Sequence, residues 1–307
     1  MDANELSLSL SDESKETLIT ELQWWCKPGR KENLCRWYQM GGWMNWALNV
    51  YPHIWPALNN FYPKLRGRFD STLLIWVNNS IWDDFSWAVN ILNESSGVCL
   101  LKSVYWDSHE ATFTIFCDAC PDGMDFWYPD LNVAYYSPTP CHEHPDLIIF
   151  YFEALCVHSA LFDAPQWTTP GSNGHFLIYT DNSNTVDIFS SLWALPPYNH
   201  LLKTAIDILN RGNSDLHVLH VPGVDNAVTD ALSRSGFHHA ITLVPGLKIN
   251  KFEPWSWSPN DKGSLTFLPP RGTLWEDKLW SEGAGGPGNL SERSGPGSGL
   301  SMSGQLP

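Results

Sequence analysis

The chain has 307 residues, 43% of them hydrophobic, and a net charge of −15. That length holds one or two domains plus tails, and the composition supports a packed core. No run of eighteen apolar residues exists, so no transmembrane helix is expected, and the start, MDANELSLSLSDESKE, lacks the basic and apolar regions of a signal peptide. Seven cysteines without a regular framework fit free thiols in a reducing compartment, cytosolic or nuclear and not secreted. The charge is uneven: residues 1–97 hold 11 acids and 8 bases, residues 98–236 hold 16 acids and 4 bases, and residues 237–307 hold 6 of each. A phosphate-binding surface normally shows a basic stripe, so the middle segment either binds nucleic acid weakly alone or relies on metals and a partner surface.

In chain order, residues 1–20 read as flexible or loosely helical. Residues 21–97 are Trp-rich and helical. Trp43, Trp46, Ala47 and Val50 recur at three- and four-residue steps, which predicts one helical face. Pro52 and Pro56 interrupt it, a short helix follows over 57–65, and a third runs over 80–93 through Trp82, Phe85, Val89 and Leu92, ended by Gly97. From residue 98 the pattern changes. ATFTIFCDA (111–119) is strand-like, Asp122–Gly123 is a turn, and MDFWYP and LNVAYYS are two more strands. A strong helix covers 144–164, with Leu147, Phe150, Tyr151, Ala154, Leu155 and His158 on its internal face. HFLIYTD (175–181) is a buried strand, 183–193 and 198–211 are helical, LHVLHV (216–221) is a strand and 225–234 a short helix. That order predicts an α/β domain over 98–236 with a mixed five-stranded sheet flanked by helices. Residues 237–307 lose periodicity, and the last 25 include 8 Gly, 5 Ser and 3 Pro, which predicts a mostly disordered tail.

Four acids sit at telling places. Asp118 closes an apolar strand, Glu153 lies inside an apolar helix, Asp181 ends a strand, and Asp230 lies one turn after Asn226 on the last helix. An acid at a strand end is usually a solvated loop residue. Several buried together repel strongly unless divalent cations neutralise them. Oxygen-only ligands suit two Mg²⁺ or Mn²⁺ ions, which clamp the attacking and leaving oxygens of a phosphodiester.

The text IFCDACPDGMDFW resembles the first ribonuclease H strand of retrotransposon polyproteins. FEALCVHSAL looks like their first-helix motif, LIYTDN resembles their fourth strand, and HVPGVDNAVTDALSR is similar to the ending of that domain. The motifs follow in the family's order across about 120 residues. WMNWALNVYPHIWPALNNFYPKL looks like the helical stretch between polymerase and ribonuclease H in such elements, particularly those of the tyrosine-recombinase type. No YxDD-like polymerase motif appears, so the chain resembles a fragment, or a separate reading frame derived from a polyprotein, with a polymerase domain supplied separately.

The resemblance implies an RNase H-like fold and a two-metal-ion endonuclease that hydrolyses the RNA strand of an RNA–DNA hybrid, leaving a 3′-hydroxyl and a 5′-phosphate. Asp118 would bridge both ions, Asp230 would complete the ion that activates water, and Glu153 and Asp181 would hold the ion beside the leaving oxygen. His220 matches the family histidine tied to proton traffic or product release, or is a structural strand-end histidine. Asn226 bonds the substrate backbone or, the favoured reading, caps its helix. Asn182 is a second candidate substrate contact. Two departures, Cys120 for a serine and Thr229 for an alanine, remove no ligand. The alternatives are an idle remnant with the same fold, an integrase or exonuclease sharing it, and an interaction module built on the Trp-rich helices.

Other signals are weaker. Cys117 and Cys120 form a lone CxxC that reads as packing rather than zinc. Cys141, His142 and His144 read as a loop. The tryptophans at 43, 46, 55, 82 and 87 stack on bases or, as their helical spacing favours, pack a core. Asp83 and Asp84 simply favour a helix start.

Overall fold

A computed structural model describes residues 7–95, 97–99, 106–139, 148–168 and 174–254. Strand β1 (Ser7–Leu8) pairs antiparallel with β4 (Val98–Cys99), and β2 (Lys31–Asn33) pairs antiparallel with β3 (Leu74–Trp76). Around them lie α1 (Asp12–Trp25), α2 (Leu34–Leu48), a 3₁₀ turn over Pro52–Leu58, α3 (Tyr62–Leu65) and α4 (Asn79–Glu94). The side chains of Ser11, Asn33 and Asn78 accept backbone N–H bonds at the starts of α1, α2 and α4, the usual role of short polar residues there.

This half departs from the sequence reading at several points. The segment read as flexible or loosely helical to residue 20 contains most of α1, a packed helix whose Leu18, Leu22 and Trp25 are buried. The buried face of α2 is Leu34, Trp37, Met40, Gly41, Met44 and Ala47, while Trp43 and Trp46 are exposed. Ala47 and Val50 are buried as the spacing predicts, but every phase of an aromatic-rich helix offers apolar candidates, and spacing alone does not tell the two outward tryptophans from the core. As expected, the α-helix does not run through Pro52 and Pro56: α2 ends at Leu48, and the two prolines, which lack an N–H to donate, lie in a separate 3₁₀ turn. Trp82 is exposed, and Ile81 takes the core position. The helix ends at Glu94, short of Gly97.

The second half is built on a six-stranded sheet in the order β10-β7-β6-β5-β8-β9. The strands are β5 (Phe113–Ala119), β6 (Gly123–Tyr128), β7 (Val133–Pro138), β8 (His175–Thr180), β9 (Asp215–His220) and β10 (Lys248–Lys251). β5, β6 and β7 form an antiparallel meander, while β8 and β9 run parallel to β5. The helices are α5 (Ile148–Asp163), α6 (Ser183–Ser191), α7 (Pro196–Gly212), α8 (Ala227–Ser233) and α9 (Phe237–Leu243). The mixed α/β layout expected from the sequence is present, with six strands instead of five. The sixth lies in the segment expected to be unstructured: β10 adds parallel to β7, with Leu247 and Ile249 buried. Four residues give too short a pattern to read. Residues 255–307 lie outside the described residues. Among the described residues no helix is long and apolar enough to cross a membrane.

Gly123 opens β6 and is required there. A Cβ would come within 2.4 Å of the Ser233 carbonyl oxygen, so only glycine lets the end of α8 lie against this strand.

Two hydrophobic clusters form, one between the sheet, α5 and α7, the other among α1, α2 and α4. Helix α7 serves both: Leu201, Leu202, Ala205 and Leu209 belong to the first, Ile206 to the second. Beside Ile206, the buried carboxylate of Asp84 accepts from Lys203 Nζ at 2.8 Å, Asn60 at 2.8 Å and Asn199 at 3.3 Å. Trp87 Nε1 donates to Asp207 at 2.9 Å. Asp84 therefore does more than favour a helix start: it ties α4 to α7. Burial pushes its carboxyl up, and Lys203 opposes that. Lys203→Met is expected to lower stability by about 3 kcal/mol, because it strands a buried charge, with Asp84→Asn costing less. Urea denaturation of both variants measures this, and an unchanged Lys203→Met midpoint contradicts it.

Candidate metal centre

Alternation along β5 sends Ile115, Cys117 and Ala119 into the core and leaves Phe116 and Asp118 on the other face, where Phe116 stacks on Tyr179 of β8. Phe116 lies opposite Tyr179 in the parallel register, so two residues on Asp118 comes level with Asp181, just past the end of β8. Glu153 approaches from α5, the polar exception in an apolar stretch, and Thr180 Oγ1 lies 3.5 Å from its Oε2. Asp118, Glu153 and Asp181 each offer a carboxylate oxygen within 4.8 Å of the others. Asp118 and Glu153 are buried and Asp181 is exposed, so the group opens to solvent on one side. A Cβ on Gly223 would stand 3.2 Å from Asp181 Oδ2, so the turn after β9 borders that opening.

The other expected residues are placed differently. Asp230 lies in the first turn of α8, outside the mutual 4.8 Å group, and its Oδ1 accepts from Arg234 Nε at 2.8 Å. Its charge still raises the Asp118 carboxyl, so it stands at the rim. His220 ends β9 opposite Thr180, exposed and outside the carboxylate group. Asn226 holds the N-cap position of α8 without capping it. Its side chain is buried and donates to the Cys117 carbonyl at 3.1 Å, so the expected cap is instead a tie between α8 and β5. Asn182 caps α6, accepting from Thr185 N–H at 3.0 Å. Cys117 and Cys120 are buried free thiols, and Cys120 Sγ lies 3.1 Å from the Ser233 carbonyl oxygen, as packing predicts. Cys141, His142 and His144 lie outside the described residues.

One carboxylate was missed. Asp125 on β6 is directly opposite Asp118, fully buried, with no hydrogen-bond partner on either oxygen among the described residues. Hairpin arithmetic was the available signal. The Cys120 N–H bonds the Gly123 carbonyl, so the loop residues are Pro121 and Asp122, one place earlier than the turn expected at 122–123. With that loop 119 faces 124 and 118 faces 125; the later turn places 118 opposite 127.

The electrostatics follow from burial of like charges. Desolvation raises Asp118, with Asp181 and Asp230 adding to the rise and the Ser233 hydroxyl opposing it. Desolvation, then Asp118 and Asp181, push Glu153 up to about 9. Burial holds Asp125 well above the carboxylate range, helped by Cys156, Asp118 and Glu153. A divalent cation among these oxygens removes that penalty, and the all-oxygen donor set suits Mg²⁺ or Mn²⁺.

No family model matches the sequence, and neither does any curated protein. Among solved structures the chain is similar to RNase H1 from the halophilic archaeon Halobacterium salinarum NRC-1, at 13% identity over 41% of this chain and 97% of that one, TM-score 0.32. It is similar to LC11-RNase H1 in complex with RNA/DNA hybrid, at 14% identity over 40% of this chain and 94% of that one, TM-score 0.33. It is also similar to a foamy viral protease-reverse transcriptase in complex with RNA/DNA hybrid, at 14% identity over 85% of this chain and 30% of that one, TM-score 0.27. The fold class rests on the sheet itself: in the RNase H-like order the first strand of a three-strand antiparallel meander pairs parallel with β8, and β8 in turn pairs parallel with β9.

Glu153 holds its proton in the folded chain and releases it in the unfolded one at any pH between the ordinary carboxyl value, about 4.3, and about 9. The unfolded state therefore binds fewer protons, and stability falls as pH rises through that window. Burial lowers His158 to about 3, which costs stability only below the ordinary histidine value, about 6.5, so the carboxyl effect is read between about pH 7 and 9. In EDTA the melting temperature is expected to drop across that interval, less so in Glu153→Gln, and Mg²⁺ or Mn²⁺ is expected to restore it. A melting temperature that climbs with pH in EDTA is the contrary result.

Proposed function

We propose that the chain is a metal-dependent phosphodiester hydrolase that cuts the RNA strand of RNA–DNA hybrids, derived from a reverse-transcribing mobile element. The observation that carries this reading is the convergence of Asp118, Glu153 and Asp181 within 4.8 Å on an RNase H-like sheet. Asp118 is central and would contact both of two cations, with Glu153 and Asp181 holding one and Asp230 the other. Bound there, Mg²⁺ or Mn²⁺ supplies a Lewis acid and a water activated for attack, so no serine or cysteine nucleophile is needed. Asp230 would join by turning from Arg234, an exposed pair that holds it weakly. His220, exposed at the end of β9, would move a proton at the rim. The 2′-hydroxyl and A-form groove select the RNA strand.

Purified Asp118→Asn and Asp181→Asn are each expected to cleave a labelled RNA–DNA hybrid more than about 100-fold slower than the parent, since removing even an outer partner of a metal ligand costs 10- to 100-fold. Cleavage at the parent rate in either variant refutes the nuclease. Mn²⁺ binding by calorimetry without cleavage of hybrid, duplex DNA or duplex RNA supports an idle metal-binding remnant instead. Arg234→Gln is expected to tighten Mn²⁺ binding by about twofold to fivefold, because it removes the cation that competes for Asp230; weaker binding contradicts the role given to Asp230.

A further inference from the structure

Gly41 and Gly42 stand side by side in α2, although glycine is the poorest helix former after proline. Gly41 is explained by packing: a Cβ there would lie 3.2 Å from the Phe61 ring. Gly42 is exposed, and a Cβ there would meet nothing within 4 Å. No neighbour in the fold requires it. It lies one helical turn from Tyr38 and one from Trp46, exposed at 54% and 51%. The outer stripe of α2 is thus two aromatic rings about 12 Å apart along the axis with bare backbone between them.

A basic segment runs beside this stripe. Asn45 Nδ2 donates to the Tyr62 hydroxyl at 2.6 Å, and the Tyr38 hydroxyl donates to the Arg68 carbonyl at 3.3 Å. These two bonds lay residues 62–68 along α2, bringing Lys64, Arg66 and Arg68. None of the three forms a salt bridge among the described residues. The nearest acid in sequence, Asp70, is engaged by the Thr72 N–H at 2.9 Å and hydroxyl at 2.7 Å. Glu21, Glu32 and Asp84 are paired with Arg36, Arg30 and Lys203.

We propose that this shelf binds a single strand of nucleic acid, with unpaired bases against Tyr38 and Trp46 across Gly42 and phosphates on Lys64, Arg66 and Arg68. Free cations beside exposed rings suit a polyanion that carries π-faces, and a duplex hides those faces within its stack. The shelf shares no residue with the carboxylate group and needs no metal, so it is tested apart from the nuclease.

The test uses the full chain carrying Asp118→Asn in EDTA, with a labelled oligo-dT of about 16 nucleotides followed by anisotropy. Trp46→Ala is expected to weaken binding by about 10-fold. Arg66→Gln with Arg68→Gln is expected to reduce the slope of log affinity against log salt by about 1.4. Gly42→Gln, a better helix former that fills the shelf, is expected to raise the melting temperature by about 3 °C while weakening binding. A purely structural glycine would show the stability gain without the loss. Unchanged affinity in Gly42→Gln together with an unchanged salt slope in the arginine double variant overturns the proposal. So does a parent chain that binds no oligonucleotide and self-associates through Trp46, which assigns the face to a second copy.

Discussion

Parallel pairing of β5 with β8 is the constraint on which the carboxylate group depends. The register that sets Phe116 against Tyr179 leaves Asp118 and Asp181 level at the same end of the sheet. A one-residue slip would turn one of them to the opposite face. Helix α5 then crosses with Glu153 pointing to that end, and three like charges meet where two of them have little water. The chain answers by holding protons, as the rises in Asp118 and Glu153 show, and a divalent cation would answer the same repulsion without them. Asp125, opposite Asp118 with no hydrogen-bond partner among the described residues, adds to the same strain from within the sheet.

The acidic sheet does not stand alone. Helix α7 faces the sheet with one side and the Trp-rich helices with the other, and the Asp84–Lys203 bond lies beside the second contact. A buried ion pair contributes little net stability over an apolar pair, but it is costly to break. It therefore fixes how α4 meets α7 more than it strengthens the join. The consequence is electrostatic: the unpaired cations at 64, 66 and 68 are carried by the same compact body as the carboxylates. On the proposed reading, a polyanion that the region of 16 acids and 4 bases would repel would gain its holding charge there.

The elements bearing Asp118, Glu153 and Asp181 were legible because strand text, a long apolar helix and acids at their ends are strong patterns. What failed was phase and length. The turn after β5 lies one residue earlier than the Asp122–Gly123 pattern suggests, and that offset hides the Asp118–Asp125 pair, since moving a two-residue hairpin loop by one residue shifts every cross-strand partner by two. The outward tryptophans of α2 were read as core because apolar spacing cannot say which of several aromatic stripes meets a neighbour. β10 was invisible because four residues borrow their stability from β7. Asn226 was read as a cap because local rules see only its own helix, whereas its partner is a carbonyl of β5, 109 residues away.

That last bond bears on Asp230. Helix α8 is pinned to the sheet at both ends: Asn226 on the Cys117 carbonyl at its start, and the Ser233 carbonyl against Gly123 and Cys120 at its finish. With the helix so held, Asp230 cannot join or leave the carboxylate group by sliding the backbone. Only side-chain rotation remains, and the exposed Arg234 four residues on is the group that decides it. An exposed pair of this spacing is worth well under 1 kcal/mol, less than the pull of a divalent cation on a nearby carboxylate. On the nuclease reading, a divalent cation held by the three-acid group would therefore be enough to draw Asp230 in by side-chain rotation alone.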